Sequence, residues 1–223
     1  MRLMNKDFLT YGACRTMSKA IAAFIVLVSP AWAGPVTVLA LGDSLTQGYG
    51  LVQDQGFVPQ MQKWLEDQGI EARLVNGGVS GDTTAGGAAR VEWSLTEEVG
   101  AMIVTLGGND LLRGIDPAVS RENLEKILQV AKARDIEVLL VGMSAPGNYG
   151  AAYKADFDAI YPDLAQSYDT LYAANFFAGL GEGTPAELRA YFQPDGIHPN
   201  AEGVGRIVEA LGPRVVDLIA ATK

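Results

Sequence analysis

Residues 36–46 read VTVLALGDSLT. All of the first six but Thr37 are apolar and three are β-branched, the pattern of a buried strand, and they run directly into a glycine and the polar pair Asp43-Ser44. Further along the chain, Phe57, Met61, Trp64 and Leu65 fall at i, i+4, i+7 and i+8, one apolar helical face that Gly69 ends. Residues 72–76 read as a second strand, followed by a glycine-rich turn and a helix-compatible stretch through Trp93. Residues 101–106 (AMIVTL) are the clearest strand. Asn123, Leu124, Ile127, Leu128 and Ala131 mark the next helix, with Asp116-Pro117 or Ser120 as its start, and residues 138–143 are a fourth strand. Residues 153–168 read as one helix and the fifth strand falls within 170–177. Asn200 caps a last helix carrying Val204, Ile207, Val208 and Leu211, which Pro213 kinks or restarts. Strands alternating with longer amphipathic runs predict a three-layer α/β/α sandwich on a flavodoxin-like, parallel, five-stranded sheet.

Composition agrees with a globular chain and narrows its partners. Of 223 residues 48% are hydrophobic, and 17 Lys+Arg against 26 Asp+Glu give a net charge of -9. An acidic chain offers no basic stripe for phosphates, so nucleic acids are excluded as partners and small neutral molecules remain. Cys14 and His198 are the only cysteine and histidine. That leaves no ligand set for a zinc site and no disulfide within the chain, and no metal or other cofactor is expected.

Residues 1–33 have the layout of a secretory signal peptide: Arg2, Lys6, Arg15 and Lys19 precede an apolar run over 20–28, and the small-residue site Ala31-Trp32-Ala33 follows. The run is short for a bilayer span. Met17 is an alternative start that leaves this reading intact. Cys14 precedes the apolar run, the wrong side for lipid attachment. Residues 34–223 are then a single domain, with no repeat and no linker, expected to be an exported monomer, periplasmic or secreted, with no integral membrane segment after cleavage.

In such sheets the site lies beyond the carboxyl ends of the strands. Strand one runs into Gly42-Asp43-Ser44-Leu45-Thr46, strand two into Gly77-Gly78-Val79-Ser80-Gly81-Asp82 and strand three into Gly107-Gly108-Asn109-Asp110, while Asp195-Gly196-Ile197-His198-Pro199 precedes the last helix. A lone histidine is more often packed than catalytic, but Asp195 three residues before His198, with Pro199-Asn200 just after, makes a short stiff loop that can aim a carboxylate at the imidazole. Ser44 is the best-placed nucleophile for that base, and it equally suits a helix cap. The local pattern is not G-x-S-x-G, which disfavours the α/β-hydrolase fold. The backbone N–H groups of Ser44 and Gly81 and the Asn109 amide are candidate oxyanion donors, although turn geometry alone explains Gly81 or Asn109 taken singly. No phosphate-binding glycine motif follows a strand.

Taken together, these four segments resemble the ordered blocks of the GDSL, or SGNH, hydrolase family, over residues 35–210. The resemblance implies the SGNH hydrolase fold, a nucleophile at Ser44, an oxyanion hole of Ser44, Gly81 and Asn109, a base at His198 and its orienting acid at Asp195. The stretches LGGNDLLRG (106–114), SAPGNYG (144–150), AIYP (159–162) and DGIHPN (195–200) are most similar to exported bacterial members acting as arylesterases, thioesterases and lysophospholipases. The implied substrates are acyl esters and thioesters. The loops 111–116 and 144–153 match segments that border the acyl pocket, which points to Leu111, Leu112, Pro146, Asn148 and Tyr149 as substrate contacts. Two other functions compete: a carbohydrate O-deacetylase with the same residues, and a non-catalytic exported module binding a lipid or small ligand. An open cleft with exposed aromatics favours glycans, an apolar trough favours acyl chains.

Overall fold

Strand β1 (Val36–Gly42) is buried along all but its first residue, which is why its sequence is apolar without alternation. The computed structural model describes residues 34–222; residues 1–33, on which the expected export signal and Cys14 fall, lie outside them. Asp43 caps the short helix α1 (Ser44–Gln47), its carboxylate accepting from the Leu45 N–H. The chain then forms α2 (Phe57–Asp67), β2 (Ala72–Gly78), α3 (Thr84–Ser94), β3 (Val99–Thr105), α4 (Gly108–Arg113) and α5 (Pro117–Lys132). It continues through β4 (Glu137–Val141), α6 (Ala151–Asp158), α7 (Ile160–Tyr168), β5 (Leu171–Ala173), α8 (Pro185–Leu188) and α9 (Ala201–Ala221).

All five strands are parallel, in the order β2-β1-β3-β4-β5. This is the expected flavodoxin-like sheet, with the order reversing beside β1. Helices α2 and α9 pack together on one layer, and α5 packs with α3, α6 and α7 on the other. The apolar stripe anticipated on α2 is real: Phe57, Met61 and Leu65 are buried, and Trp64 packs at the edge of the core.

Two elements differ from the sequence reading. The helix anticipated over 153–168 is two, broken at Ala159. Pro162 explains the break, since it has no N–H to give the Asp158 carbonyl and its ring would collide with that carbonyl. Conversely, α9 runs without a restart through Pro213, which is exposed, so water can satisfy the Glu209 carbonyl left free. The start of α5 is settled in favour of Asp116, whose Oδ1 accepts from the Ala118 N–H at 2.9 Å.

Candidate active site

The loop entering α9 folds around Asp195. Its Oδ1 accepts from the backbone N–H groups of Ile197 (2.9 Å) and His198 (3.0 Å), which turns the chain back so that His198 Nδ1 meets Oδ2 at 2.7 Å. A carboxylate there keeps the proton on Nδ1 and leaves Nε2 as the acceptor for the Ser44 hydroxyl, 2.9 Å away. Outer ties hold the loop. Gln193 N–H donates to the His198 carbonyl at 2.8 Å, and Asn200 N–H to the Tyr191 carbonyl at 2.8 Å. Asn200 also caps α9 through the Gly203 N–H at 3.0 Å. The hydrogen bond from His198, helped by the two backbone donors, pulls the Asp195 carboxyl down to about 2.

On the other side of Ser44 the carboxylates are buried. Asp43 is 1% exposed. One of its oxygens takes the Leu45 N–H at 3.0 Å and the other an amide hydrogen of Asn109 at 3.2 Å. Since an amide nitrogen carries two hydrogens, this bond orients Asn109 and leaves the second hydrogen to donate elsewhere. Burial raises Asp43 to about 6, against the opposing pull of the Leu45 and Asn109 donors. The neighbouring Asp110 is also buried and accepts from the Thr84 backbone (2.9 Å), the Thr84 hydroxyl (2.6 Å) and Ser120 (3.0 Å), fixing the start of α4 to α3.

Gly81 sits at φ +83, a left-handed conformation suited to glycine. Two arginines hold the loop around it. Arg113 Nη2 donates to the Gly81 carbonyl at 2.7 Å. Arg90, itself buried, pairs with Asp82 at 2.7 Å and donates to the Gly42 carbonyl at 2.8 Å, tying this loop to the end of β1. Among the described residues no acceptor meets the backbone N–H of Ser44 or of Gly81.

Ser44, Gly81, Asn109 and His198 all face one cavity of about 410 Å³. Its apolar wall includes Leu45, Leu112, Met143, Phe177, Phe192 and Ile197. Of the five substrate contacts anticipated from sequence, only Leu112 lines it. Leu111 points into the core at 9% exposure, as expected for the neighbour of an outward residue on a helix. Pro146, Asn148 and Tyr149 do not line it, because their loop is drawn away: Asp158 accepts from the Ala145 N–H and Lys154 donates to the Ala145 carbonyl, both at 2.7 Å. The Tyr149 ring packs instead on Tyr153, with centroids 5.0 Å apart, and beside Gly114.

Residues 40–206 match the model of the GDSL-like Lipase/Acylhydrolase family. The chain belongs to this family. It is 40% identical over 184 residues to the esterase TesA of Pseudomonas aeruginosa, across 82% of this chain and 89% of that one. It is 35% identical over 199 residues to thioesterase 1/protease 1/lysophospholipase L1 of Escherichia coli strain K12, across 88% and 91%. The crystal structure of AlinE4, a SGNH-hydrolase family esterase, superposes with a TM-score of 0.67 at 41% identity, covering 82% of this chain and 96% of that one. As a family member with this fold, the chain is a serine hydrolase acting on ester bonds.

Several residues of the site had no signal in the sequence. Met143, Phe177 and Phe192 reach the cavity from separate loops, and no local spacing connects them. Asp43 did carry one: a carboxylate placed directly before Ser44 at a strand end calls for a partner, which proves to be Asn109, 66 positions away.

Proposed function

We propose that Ser44 is the nucleophile of an exported esterase and thioesterase that acts on carboxylic acyl esters and thioesters. The observation carrying this reading is the unbroken chain Asp195–His198–Ser44, with hydrogen bonds of 2.7 and 2.9 Å, opening onto an apolar cavity. His198 Nε2 takes the Ser44 proton as Oγ attacks the acyl carbonyl carbon. The resulting oxyanion receives the N–H groups of Ser44 and Gly81 and the free amide hydrogen of Asn109. Collapse of the tetrahedral species expels the alcohol or thiol, which takes the proton from His198 and leaves an acyl-enzyme. Water, deprotonated by the same imidazole, releases the acid and restores Ser44. The mainly apolar lining favours an acyl chain over a sugar ring, and an intact triad favours catalysis over simple binding.

Hydrolysis of p-nitrophenyl acetate through palmitate, of palmitoyl-CoA and of a lysophospholipid, beside Ser44→Ala, tests the reading. Turnover that rises with chain length and falls on the order of 10⁴-fold or more in the mutant is the expected result. Activity confined to acetate would move the substrate to acetylated sugars, and none on any substrate would leave a binding module.

The basic stretch, apolar run and Ala31-Trp32-Ala33 site support export, with cleavage after Ala33. Processed protein whose N-terminal sequence begins at Gly34, in periplasm or medium, is expected. Among the described residues no helix is long and apolar enough to cross a membrane. The mature domain acts as a monomer, and sedimentation at one-chain mass is the corresponding check.

A further inference from the structure

Tyr49 stacks on His198. The two ring centroids are 4.6 Å apart with their planes inclined at 37°, although the tyrosine is half exposed at the mouth of the cavity. The backbone is shaped to put it there. Gly48 and Gly50, on either side, adopt φ +88 and +74, left-handed conformations that reverse the chain directly after α1. Gln193, from the histidine loop, donates one amide nitrogen to the carbonyls of both Tyr49 (2.8 Å) and Pro199 (3.0 Å). The same side chain packs so tightly on Gly50 that a Cβ there would lie 2.2 Å from its Oε1. The residue presenting the ring and the loop carrying the imidazole are therefore pinned by one side chain.

We infer that Tyr49 is a positioning residue for the base: its π face holds the His198 ring in line with Ser44 and stabilises the imidazolium that forms as Ser44 loses its proton. A cation within about 6 Å of an aromatic centroid is attracted by the ring quadrupole, and a neutral imidazole gains far less. The stacking therefore favours the transition state over the resting state. The other groups facing the imidazole are Asp195 from its own loop, Ser44 from α1, and Asp43, whose charge reaches it from the end of β1. Arg189 comes near the same loop at Gly196. None of these changes when Tyr49 is replaced.

This inference deepens the catalytic reading and rests on His198 acting as the base, but one of its tests does not. His198 is the only histidine, so in the untagged protein a single imidazole Cε1–H resonance reports its titration in the resting state, whether or not any ester is hydrolysed. Tyr49→Leu should move that titration to lower pH, since removing the π face destabilises the charged ring. It should also lower kcat on p-nitrophenyl acetate by about tenfold. The acid limb of kcat/KM should move in the same direction. Tyr49→Phe keeps the π face and should retain the wild-type titration and kcat within about twofold.

A Tyr49→Leu protein with unmoved titration and wild-type kcat overturns the inference. So does a loss confined to KM for long acyl chains, which makes the ring only a wall, and so do equal losses in Tyr49→Phe and Tyr49→Leu, which place the effect in the hydroxyl. Should the leucine variant not fold, Tyr49→Trp supplies the deciding arm: a titration at or above the wild-type pH supports the inference and one below it overturns it. If no variant or substrate shows turnover while the resonance still shifts, the catalytic reading fails and the stacking survives.

Discussion

Two carboxylates flank Ser44, and their surroundings push them in opposite directions. Asp195 lies on an open loop, collects three donors and is held at about 2; Asp43 is buried at the end of β1, collects two donors and is raised to about 6. The difference comes from burial rather than from donor count, because desolvation is the largest influence on Asp43 and a lesser one on Asp195. The relay side of the site thus keeps a permanent charge that a small local turn aims at the imidazole. The oxyanion side uses a buried group whose task is to orient an amide, and it sits in a region clamped from several elements. A local turn can be read from four or five residues; a clamp built from β1, α3 and α4 cannot.

The contrast predicts unequal losses on removal. Asp195→Ala should lower kcat on the order of 10³- to 10⁴-fold, because the imidazole loses both its tautomer and the countercharge to its protonated form. Asp195 remains ionised through the whole range in which esters are assayed, so in the wild type this charge should add no acid limb of its own to the rate profile. Asn109→Ala should cost about 10²- to 10³-fold, the usual effect of losing one oxyanion donor among several. Both are read as kcat on p-nitrophenyl butyrate. A larger loss at Asn109 than at Asp195 would reverse the assigned weight of the two sides.

How much of this was legible in the sequence follows the same division. The strands themselves and the Asp195–His198 turn were readable because buried strands and short polar loops are local patterns. The break at Ala159 was hidden because Phe157, Ile160, Tyr161 and Leu164 keep helical spacing across it, and only Pro162 marks it. The cavity wall was misplaced at Pro146, Asn148 and Tyr149 because loop identity says nothing about direction. It takes Asp158 and Lys154, a helix later, to turn that loop outward. Phe177 and Phe192 belong to no pattern at all until the chain brings them 5.9 Å apart, centroid to centroid.

Asp43→Asn sharpens the comparison by changing charge and hydrogen bonding but little else. Asparagine still caps α1 well. It must place either its NH₂ against the Asn109 amide or lose the cap bond to Leu45, so kcat should drop by about tenfold with KM nearly unchanged. Stability carries a second signature. The folded-state value of Asp43 lies above the ordinary carboxylate value, so the native protein binds this proton more tightly than the unfolded chain does. Its contribution therefore weakens as pH rises from about 4 through about 6. Wild type should lose about 2 kcal/mol between pH 4.5 and 7.5 that the asparagine variant does not lose, measured by urea unfolding at the two pH values. Identical slopes in the two proteins would mean that Asp43 is not raised in the folded state.

The smallest expected effect lies where the oxyanion side meets solvent. Arg113 reaches across from the end of α4 to the Gly81 carbonyl, but its side chain is exposed and water competes for the bond. Arg90 already fixes the same loop from inside, through Asp82 and Gly42. Arg113→Met should therefore lower kcat by only about threefold, with no measurable change in thermal midpoint. A threefold loss restored by Arg113→Lys would show that a cation on the Gly81 carbonyl suffices. A loss approaching that of Asn109→Ala would instead mean that the Gly81 N–H depends on Arg113 for its direction, and that the buried clamp alone does not hold this half of the site.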